Sequence, residues 1–203
     1  MTPGARISAV IEILDKYLGE TYDTRLLHKW FRANRYAGSK DKQVIRDFVY
    51  ECLRSQLSFH WPFGQYGIML SGRTIVLGML KVSGKCFNEI FDGKRYSPKN
   101  LTDLEKAVLK NFDQTLSLAP TFVRFNFPKF LEKSLYESFG ESFEHNLVAL
   151  GSRAELFIRV NSIRGKIGSV VRSLKRDGIE VDRIPACTNS LKVISNKNKL
   201  NKS

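Results

Sequence analysis

Apolar residues in the first half of the chain recur at the spacing of an amphipathic helix. Near the start they stand three or four positions apart, which aligns them on one side of a helix: Ile7, Val10, Ile11, Leu14 and Leu18. Pro3 is typical of a helix start and Gly19 of a helix end. The pattern therefore predicts a first helix that begins at about Pro3 and stops at Gly19.

The same periodicity predicts further helices in this half. They cover residues 23–33, residues 40–58 with Ser39 as cap, two short stretches within 73–92 separated by Gly84, and a helix that Thr102 starts and that ends near Phe112. Large aromatic residues within them are interpreted as core: Trp30, Phe31, Phe48 and Phe59. Trp61 precedes Pro62 and is expected in a loop. Short helices joined by short loops favour an α-helical bundle.

The pattern changes after Pro128. Helices over about 128–139 and 141–150 are followed by a β-rich run, Glu155–Asn161, which predicts a strand. A helix over 166–176 ending at Gly178 and short strands over 179–182 and 190–194 complete a small α/β unit.

The predicted fold class is mainly α, with a helical bundle followed by a small α/β subdomain. Pro120 and Pro128 bracket Thr121–Phe127, which is predicted as a short extended joint between them. The predicted limits are 1–121 for the helical domain and 126–194 for the α/β subdomain. The polar, basic residues 195–203 are predicted as a disordered tail.

Composition limits the cellular locations expected for the protein. No run of about 18 apolar residues occurs, so no membrane span or membrane partner is expected. Acidic residues interrupt the apolar positions near the start, which argues against a signal peptide. Cys52, Cys86 and Cys187 are widely spaced, which argues against disulfides and a zinc site. We therefore expect a cytoplasmic protein, with Cys52 as a core residue.

The positive charge is concentrated in two blocks. The chain carries 33 basic and 20 acidic residues, a net charge of +13. Residues 25–54 hold 8 basic and 3 acidic residues, and residues 153–203 hold 12 and 4, for net charges of +5 and +8. An exposed helix face usually mixes both signs. The local excess therefore favours a nucleic-acid partner over a role in solubility alone.

The first block supplies seven candidate RNA-contacting residues: Lys29, Arg32, Arg35, Tyr36, Lys40, Lys42 and Arg46. If the predicted helices form, Lys29 and Arg32 share one face, and Lys42 and Arg46 share another. Tyr36 lies on the connecting turn, where its ring is able to stack on an unpaired base. The alternative is an ordinary solvated surface whose acidic residues, Asp41 and Asp47, pair with neighbouring cations.

The second block supplies four further candidates: Arg159, Asn161, Arg164 and Lys166. Strand alternation places Arg159 and Asn161 opposite Val160. Arg172, Lys175 and Arg176 follow and extend the basic character. The alternative for Asn161 is a local role, because Asn at a strand end often binds the following turn. His28, His60 and His145 are scattered, and no catalytic residue or metal ligand is assigned.

Several ordered strings resemble one enzyme family. Thr2-Pro-Gly-Ala-Arg6, Arg35-Tyr-Ala-Gly-Ser-Lys-Asp-Lys42 and Ile45-Arg-Asp-Phe-Val49 resemble the N-terminal part of RsmB-type enzymes. These are ribosomal-RNA cytosine-C5 methyltransferases of the Sun/Nop family. The second half resembles the segment before that family's catalytic domain, through these strings: Asn126-Phe-Pro-Lys-Phe-Leu131, Phe139-Gly-Glu, Leu156-Phe-Ile-Arg-Val-Asn161 and Leu174 through Gly178-Ile-Glu. The resemblance covers residues 2–194.

The resemblance implies two RNA-docking modules without chemistry of their own. The first would be similar to the all-helical RNA-binding fold of the antitermination factor NusB, and the second to a small α/β subdomain that docks RNA. The family binds S-adenosylmethionine through an Ala-Ala-Pro-Gly-Gly-Lys loop and attacks cytosine with a Thr-Cys cysteine. Neither motif occurs here, and Pro185-Ala-Cys187 resembles the family's Pro-Cys motif only superficially.

The expected function follows from that resemblance. We expect the RNA-binding N-terminal part of an RsmB-like 16S rRNA methyltransferase, inactive alone and without a cofactor in this chain. The chain is expected to stop where the catalytic domain should begin. Ribosomal RNA is the expected partner, together with a separately encoded methyltransferase domain if the enzyme is split. The alternative is a free-standing NusB-like antitermination or protein-scaffold module.

Overall fold

A computed structural model describes residues 1–19 and 25–195. The chain forms two compact units, Met1–Gly151 and Ser152–Ser203. The predicted tail lies, apart from Ser195, outside the described residues. Among the described helices, none is long and apolar enough to cross a membrane.

The described part of the first unit consists of helices joined by turns and loops. Its α-helices are α1 (Pro3–Gly19), α2 (Leu26–Ala33), α3 (Ser39–Arg54), α4 (Gln56–Gln65), α5 (Gly72–Val82), α6 (Asp103–Lys110), α7 (Phe112–Ser117), α8 (Thr121–Arg124), α9 (Glu132–Phe139) and α10 (Phe143–Gly151). Two short 3-10 turns, Lys129–Leu131 and Gly140–Ser142, precede α9 and α10. The predicted helical bundle is confirmed.

The core of this unit forms around α1 and α5. Of the predicted apolar stripe of α1, Ile7, Val10 and Leu14 are buried, whereas Ile11 and Leu18 are half-buried at its edge. Eight residues of α5 are buried, so this helix lies inside the bundle. Gly78 permits its close approach to α4, because a Cβ atom there would lie 2.3 Å from the carbonyl oxygen of Phe59. Trp30, Phe31 and Phe59 are buried in this core as predicted.

The predicted helix over 40–58 is in fact two helices, α3 and α4. Ser39 is the first residue of α3 and its side chain makes no capping bond, so the prediction of a Ser39 cap is wrong. Ser55 ends α3 and precedes α4, and its carbonyl accepts hydrogen bonds from Phe59 N and Ser58 Oγ. Trp61 lies in α4 rather than in a loop, so this prediction is wrong: the helix accommodates Pro62 in its interior.

Two other predictions are wrong for local reasons. No second helix forms in the range 83–92, where turns bury Ile90 and Phe91 instead. Gly84 adopts a φ of 63° and its N–H bonds to Lys81, which closes α5 and redirects the chain. The range 121–127 is not extended, since the carbonyl of Pro120 accepts bonds from the first turn of α8. Apolar content alone therefore wrongly predicted a helix after Gly84, and the flanking prolines wrongly predicted an extended segment over 121–127.

The second unit is a small sheet covered by one helix. It comprises β1 (Leu156–Arg159), α11 (Ile167–Arg176), β2 (Val181–Ile184) and β3 (Cys187–Val193), as predicted in kind and order. The strand order is β1-β3-β2, and β3 is antiparallel to both neighbours. β1 and β2 are therefore parallel strands joined through α11 with β3 between them, a split βαβ arrangement. Leu174 of α11 packs with Leu191 and Val193 in the core.

Candidate nucleic-acid interface

Helix α2 exposes its basic residues because its apolar residues are buried. Trp30 and Phe31 face the core, which leaves Lys29 and Arg32 exposed on the opposite side. The predicted shared face is therefore confirmed. We call the seven candidates of the first basic block the α2–α3 patch: Lys29, Arg32, Arg35, Tyr36, Lys40, Lys42 and Arg46.

Two cations of α3 lie against the ring of Phe31. Lys42 Nζ and Arg46 Cζ each lie 5.9 Å from its centroid. Cations at this distance are attracted by the electron-rich ring face, so Phe31 keeps the two side chains together at the surface. The predicted pairing of Lys42 and Arg46 on one face is confirmed, and the contact with α2 joins both helices into one patch.

The turn between α2 and α3 is held at both ends. Asn34 Nδ2 donates to the carbonyl of Trp30 at 2.9 Å, and Ala37 is buried. Between these fixed points Arg35 and Tyr36 are exposed, as is Lys40 at the start of α3. The turn therefore presents a cation and an aromatic ring on a rigid support, which suits contact with phosphate and base.

Asp41 is bound to residues outside this patch. Asp41 Oδ1 accepts a bond of 2.7 Å from Arg6 Nε, and Oδ2 accepts one of 3.2 Å from the amino group of Met1. The hydrogen bond from Arg6, followed by that from the N-terminus, lowers the pKa of Asp41 below its usual value. Asp41 is thus bound to α1, and the pairing with neighbouring cations proposed as the alternative does not occur there.

The second set of candidates lies around the connection from β1 to α11. We call Arg159, Asn161, Arg164 and Lys166 the β1–α11 patch; all four are exposed. Asn161 Oδ1 accepts a 3.1 Å bond from the N–H of Ile163, and its carbonyl accepts bonds from Arg164 and Gly165. Asn161 therefore shapes the loop, which is the local role given as the alternative.

The sheet face opposite α11 carries an aromatic residue that the sequence analysis did not select. Phe157 is half exposed and lies opposite Lys192 in the register of β1 and β3. Arg159 lies two residues further along the same face. Alternation of apolar inward residues with Phe157 and Arg159 was a usable signal for this placement. Lys192 pairs with Glu155, so the charge of this face is partly balanced.

A second exposed aromatic residue that the sequence analysis did not select lies between Gly93 and Pro98. Tyr96 is exposed and directly follows Lys94 and Arg95, as Tyr36 directly follows Arg35. The glycine and proline that bound the stretch predict a turn. The sequence signal was therefore present, although nothing in the sequence places this turn beside α2.

The described residues show no assembled catalytic chemistry. Cys52 is completely buried beside Met79, and burial raises the pKa of its thiol, consistent with the predicted core role. Cys187 is exposed at the start of β3, with its sulfur 3.0 Å from Ser190 Oγ. His60 Nδ1 lies 3.0 Å from Thr74 Oγ1, and burial lowers the pKa of this imidazole. No three potential ligands are clustered in the described ranges.

Comparison with known families assigns the carboxyl-terminal part of the chain. Residues 127–198 match the family model described as the ferredoxin-like domain of RsmF/B-like methyltransferases. This part of the chain therefore contains a ferredoxin-like domain of the kind found in RsmF/B-like methyltransferases, and the predicted resemblance is confirmed. The match begins before the compact unit Ser152–Ser203, so the predicted domain limits of 1–121 and 126–194 stay a prediction.

One solved structure extends the likeness in fold to the whole chain. The crystal structure of PH0851 superposes with a TM-score of 0.60 at 16% sequence identity, over 100% of this chain and 51% of that one. The present chain thus spans about half the length of that relative and shares the fold of the corresponding part. No curated protein matches the sequence.

Proposed function

We propose that this chain is the RNA-binding N-terminal part of an RsmB-like 16S rRNA cytosine-C5 methyltransferase. The observation that carries the proposal is the match of residues 127–198 to the ferredoxin-like domain of that family. The α2–α3 patch supports it, since all of its cations except the half-buried Lys42 are exposed and Asp41 is bound to Arg6. Ribosomal RNA is the proposed partner of both patches.

The two patches would act mainly on the RNA backbone. Lys and Arg side chains release condensed counterions when they bind phosphates, which provides affinity without reading sequence. Tyr36 adds a ring that recognises an unpaired base by stacking. The chain would thus orient a folded RNA, and base selection at the reaction centre would belong to another domain.

Methyl transfer would require residues outside this sequence. The glycine-rich loop that the family uses for S-adenosylmethionine does not occur in the 203 residues, so these residues do not fit that cofactor. A methyltransferase domain, in the same polypeptide or separately encoded, is the proposed source of the chemistry. Calorimetry of this chain with S-adenosylmethionine is expected to show no binding, and measurable binding would contradict the proposal.

RNA binding is tested by charge reversal in the α2–α3 patch. The triple variant Arg32→Glu, Arg35→Glu, Lys42→Glu should bind a structured 16S rRNA fragment more weakly than the unmodified chain. Its log affinity should also depend less steeply on log salt concentration, with a slope smaller by about three, one for each lost phosphate contact. Fluorescence anisotropy over a salt series measures both quantities.

A matched control variant separates the effect of net charge from the effect of position. Lys106, Lys110 and Lys133 are exposed and lie outside both patches, so Lys106→Glu, Lys110→Glu, Lys133→Glu changes the charge equally. This control should retain most of the affinity. Equal losses in both triple variants would contradict a defined interface. Absence of RNA binding by the unmodified chain would contradict the proposal and favour the protein-scaffold alternative.

A further inference from the structure

Two tyrosines from distant parts of the sequence line the same groove. The groove has a volume of about 730 Å³, and its lining includes Trp30, Tyr36 and Tyr96. Tyr36 follows Arg35 in the turn before α3, and Tyr96 follows Arg95 in the turn after α5. Both tyrosines are highly exposed, at 69% and 68%. Two exposed rings that line the same groove form a larger apolar surface than a single exposed residue does.

The floor of the groove is one face of α1. Ala5, Ser8, Ala9 and Glu12 all line it, and their spacing of three or four residues places them on the same side of the helix. Three of these side chains are small, which leaves space between the aromatic walls. The groove is therefore open enough for a flat ring and is bounded by rings that such a ligand would contact.

The turn that carries Tyr96 is fixed against α1. A Cβ atom at Gly4 would lie 2.3 Å from Ser97 Oγ and 3.0 Å from the carbonyl of Ile90, so only glycine permits this contact. Ser97 N donates to the Lys94 carbonyl at 2.9 Å, which closes the turn. Tyr96 itself has a φ of 72°, a conformation that L residues rarely adopt. The fold thus holds this ring in a costly position at the groove.

The other aromatic wall is equally well supported. The ring of Tyr36 meets that of Trp30 edge to face, with centroids 6.4 Å apart. Trp30 Nε1 donates to Glu12 Oε2 at 3.0 Å, and Glu12 Oε1 accepts from Lys16 at 2.7 Å. Burial raises the pKa of Glu12, but the bonds from Lys16 and Trp30 outweigh it and the net pKa is lowered. The one carboxylate in the lining is therefore ionised and already paired with a cation.

The electrostatics at the rim favour a polyanion. Arg95 Cζ lies 4.9 Å from the centroid of Tyr96, so a guanidinium is stacked on the ring that faces the groove. Arg35 occupies the equivalent sequence position beside Tyr36. A base held between such rings carries its phosphates outwards, where these guanidinium groups are available. An apolar peptide would gain nothing from these cations.

We propose that this groove binds an unpaired nucleobase of RNA, in contact with the rings of both Tyr36 and Tyr96, with Arg35 and Arg95 at its flanking phosphates. The inference rests on the proposed RNA-binding function and adds a specific site for single-stranded RNA to it. It separates the roles of two surfaces. The cations of α2 and α3 bind backbone in any RNA, whereas the groove requires a base that is not paired.

The test compares a short single-stranded RNA with a fully paired duplex. Tyr96→Ala and Tyr36→Ala should each weaken binding of the single strand on the order of tenfold, the usual effect of one lost stacking contact, and leave duplex binding unchanged. Tyr136→Ala, an equally exposed tyrosine of α9, is the control and should change neither. Circular dichroism confirms that the variants are folded.

A spectroscopic measurement locates the base. The chain contains two tryptophans, so Trp61→Phe leaves Trp30 at the groove as the sole indole reporter. Single-stranded RNA should quench its fluorescence, and duplex RNA should not. If both RNAs bind but the tyrosine variants and Trp30 fluorescence are unaffected, the groove proposal is overturned and the proposed function stands. If neither RNA binds the unmodified chain, the proposed function is itself wrong and the groove site falls with it.

Discussion

Ser58 and Asn126 are joined by two hydrogen bonds although 68 residues separate them. Ser58 N donates to Asn126 Oδ1 at 2.9 Å, and Asn126 Nδ2 donates to Ser58 Oγ at 2.9 Å. Asn126 has a φ of 57°, which asparagine tolerates better than most residues. The amide therefore ties the start of α4 to the residue immediately before the family-matched region.

Replacement of Asn126 should destabilise the first unit. Asn126→Ala removes both bonds and places a less tolerant residue in the left-handed conformation, so the free energy of unfolding should fall by about 2 kcal/mol. Urea unfolding followed by circular dichroism measures this. Asn126→Gly keeps the backbone conformation accessible and should recover part of the loss, while Asn88→Ala at an exposed position should be neutral. A fall no larger than in Asn88→Ala would contradict the structural role of this amide.

Local periodicity was sufficient to predict most helices and strands. The stripe of α1 and the bounds of α11 were predictable because a single buried face is recorded directly in residue spacing. The start of α6 was predictable for a different reason. Thr102 is a typical capping residue, and its side chain accepts a hydrogen bond from Glu105 N. Elements that bury one face against a core can therefore be predicted from a single sequence.

Features that depend on distant contacts were not predictable. The break at Ser55 between α3 and α4 was missed because the apolar spacing continues across it. Tyr96 and Tyr36 were each visible as a tyrosine after an arginine in a turn, but their meeting at one groove depends on the packing of both turns against α1. Sequence spacing predicted the members of the α2–α3 patch and missed the site that tertiary structure assembles beside it.

Low pH should reduce the folding stability of the helical unit because it protonates the Glu105 carboxylate. This carboxylate is buried and accepts bonds of 2.6 Å and 2.9 Å from Arg73, as well as one from Thr102 N. Burial raises its pKa, but the bonds from Arg73 and Thr102 dominate and the net pKa lies below the usual 4.5. A lowered pKa in the folded state contributes stability above the unfolded pKa, and this stability is lost as pH falls through the folded value.

The contribution of Glu105 is isolated by Glu105→Gln. At neutral pH this variant should be less stable than the unmodified chain by about 1–3 kcal/mol, because Arg73 loses its charged acceptor. The difference should shrink as the pH falls below about 4.5 and the carboxylate is protonated. Chemical unfolding at a series of pH values measures the gap. A gap that is independent of pH would show that charge at Glu105 does not stabilise the fold.

The three cysteines should differ sharply in reactivity. Cys52 is buried and the pKa of its thiol is raised by that burial, whereas Cys86 and Cys187 are exposed. Only thiolates react rapidly with thiol reagents, so two cysteines should be modified in the folded protein and the third only on unfolding. Mass spectrometry after maleimide treatment identifies them. Modification of Cys52 at the rate of the other two would contradict its place in the core.

Removal of charge at one end of α11 should affect RNA binding more than removal at the other. Arg164 and Lys166 lie in the loop that Asn161 shapes, whereas Lys175 and Arg176 lie in the last turn of the helix. If the β1–α11 patch contacts RNA, the double variant Arg164→Gln, Lys166→Gln should lower the slope of log affinity against log salt concentration by about two. Lys175→Gln, Arg176→Gln removes the same charge from the same unit and should change it little. Equal effects would mean that this unit attracts RNA only through its net charge, because position would then have no influence. A larger effect at the loop would instead assign Asn161 an indirect role, since its bond to Ile163 sets the path of the segment that carries both cations.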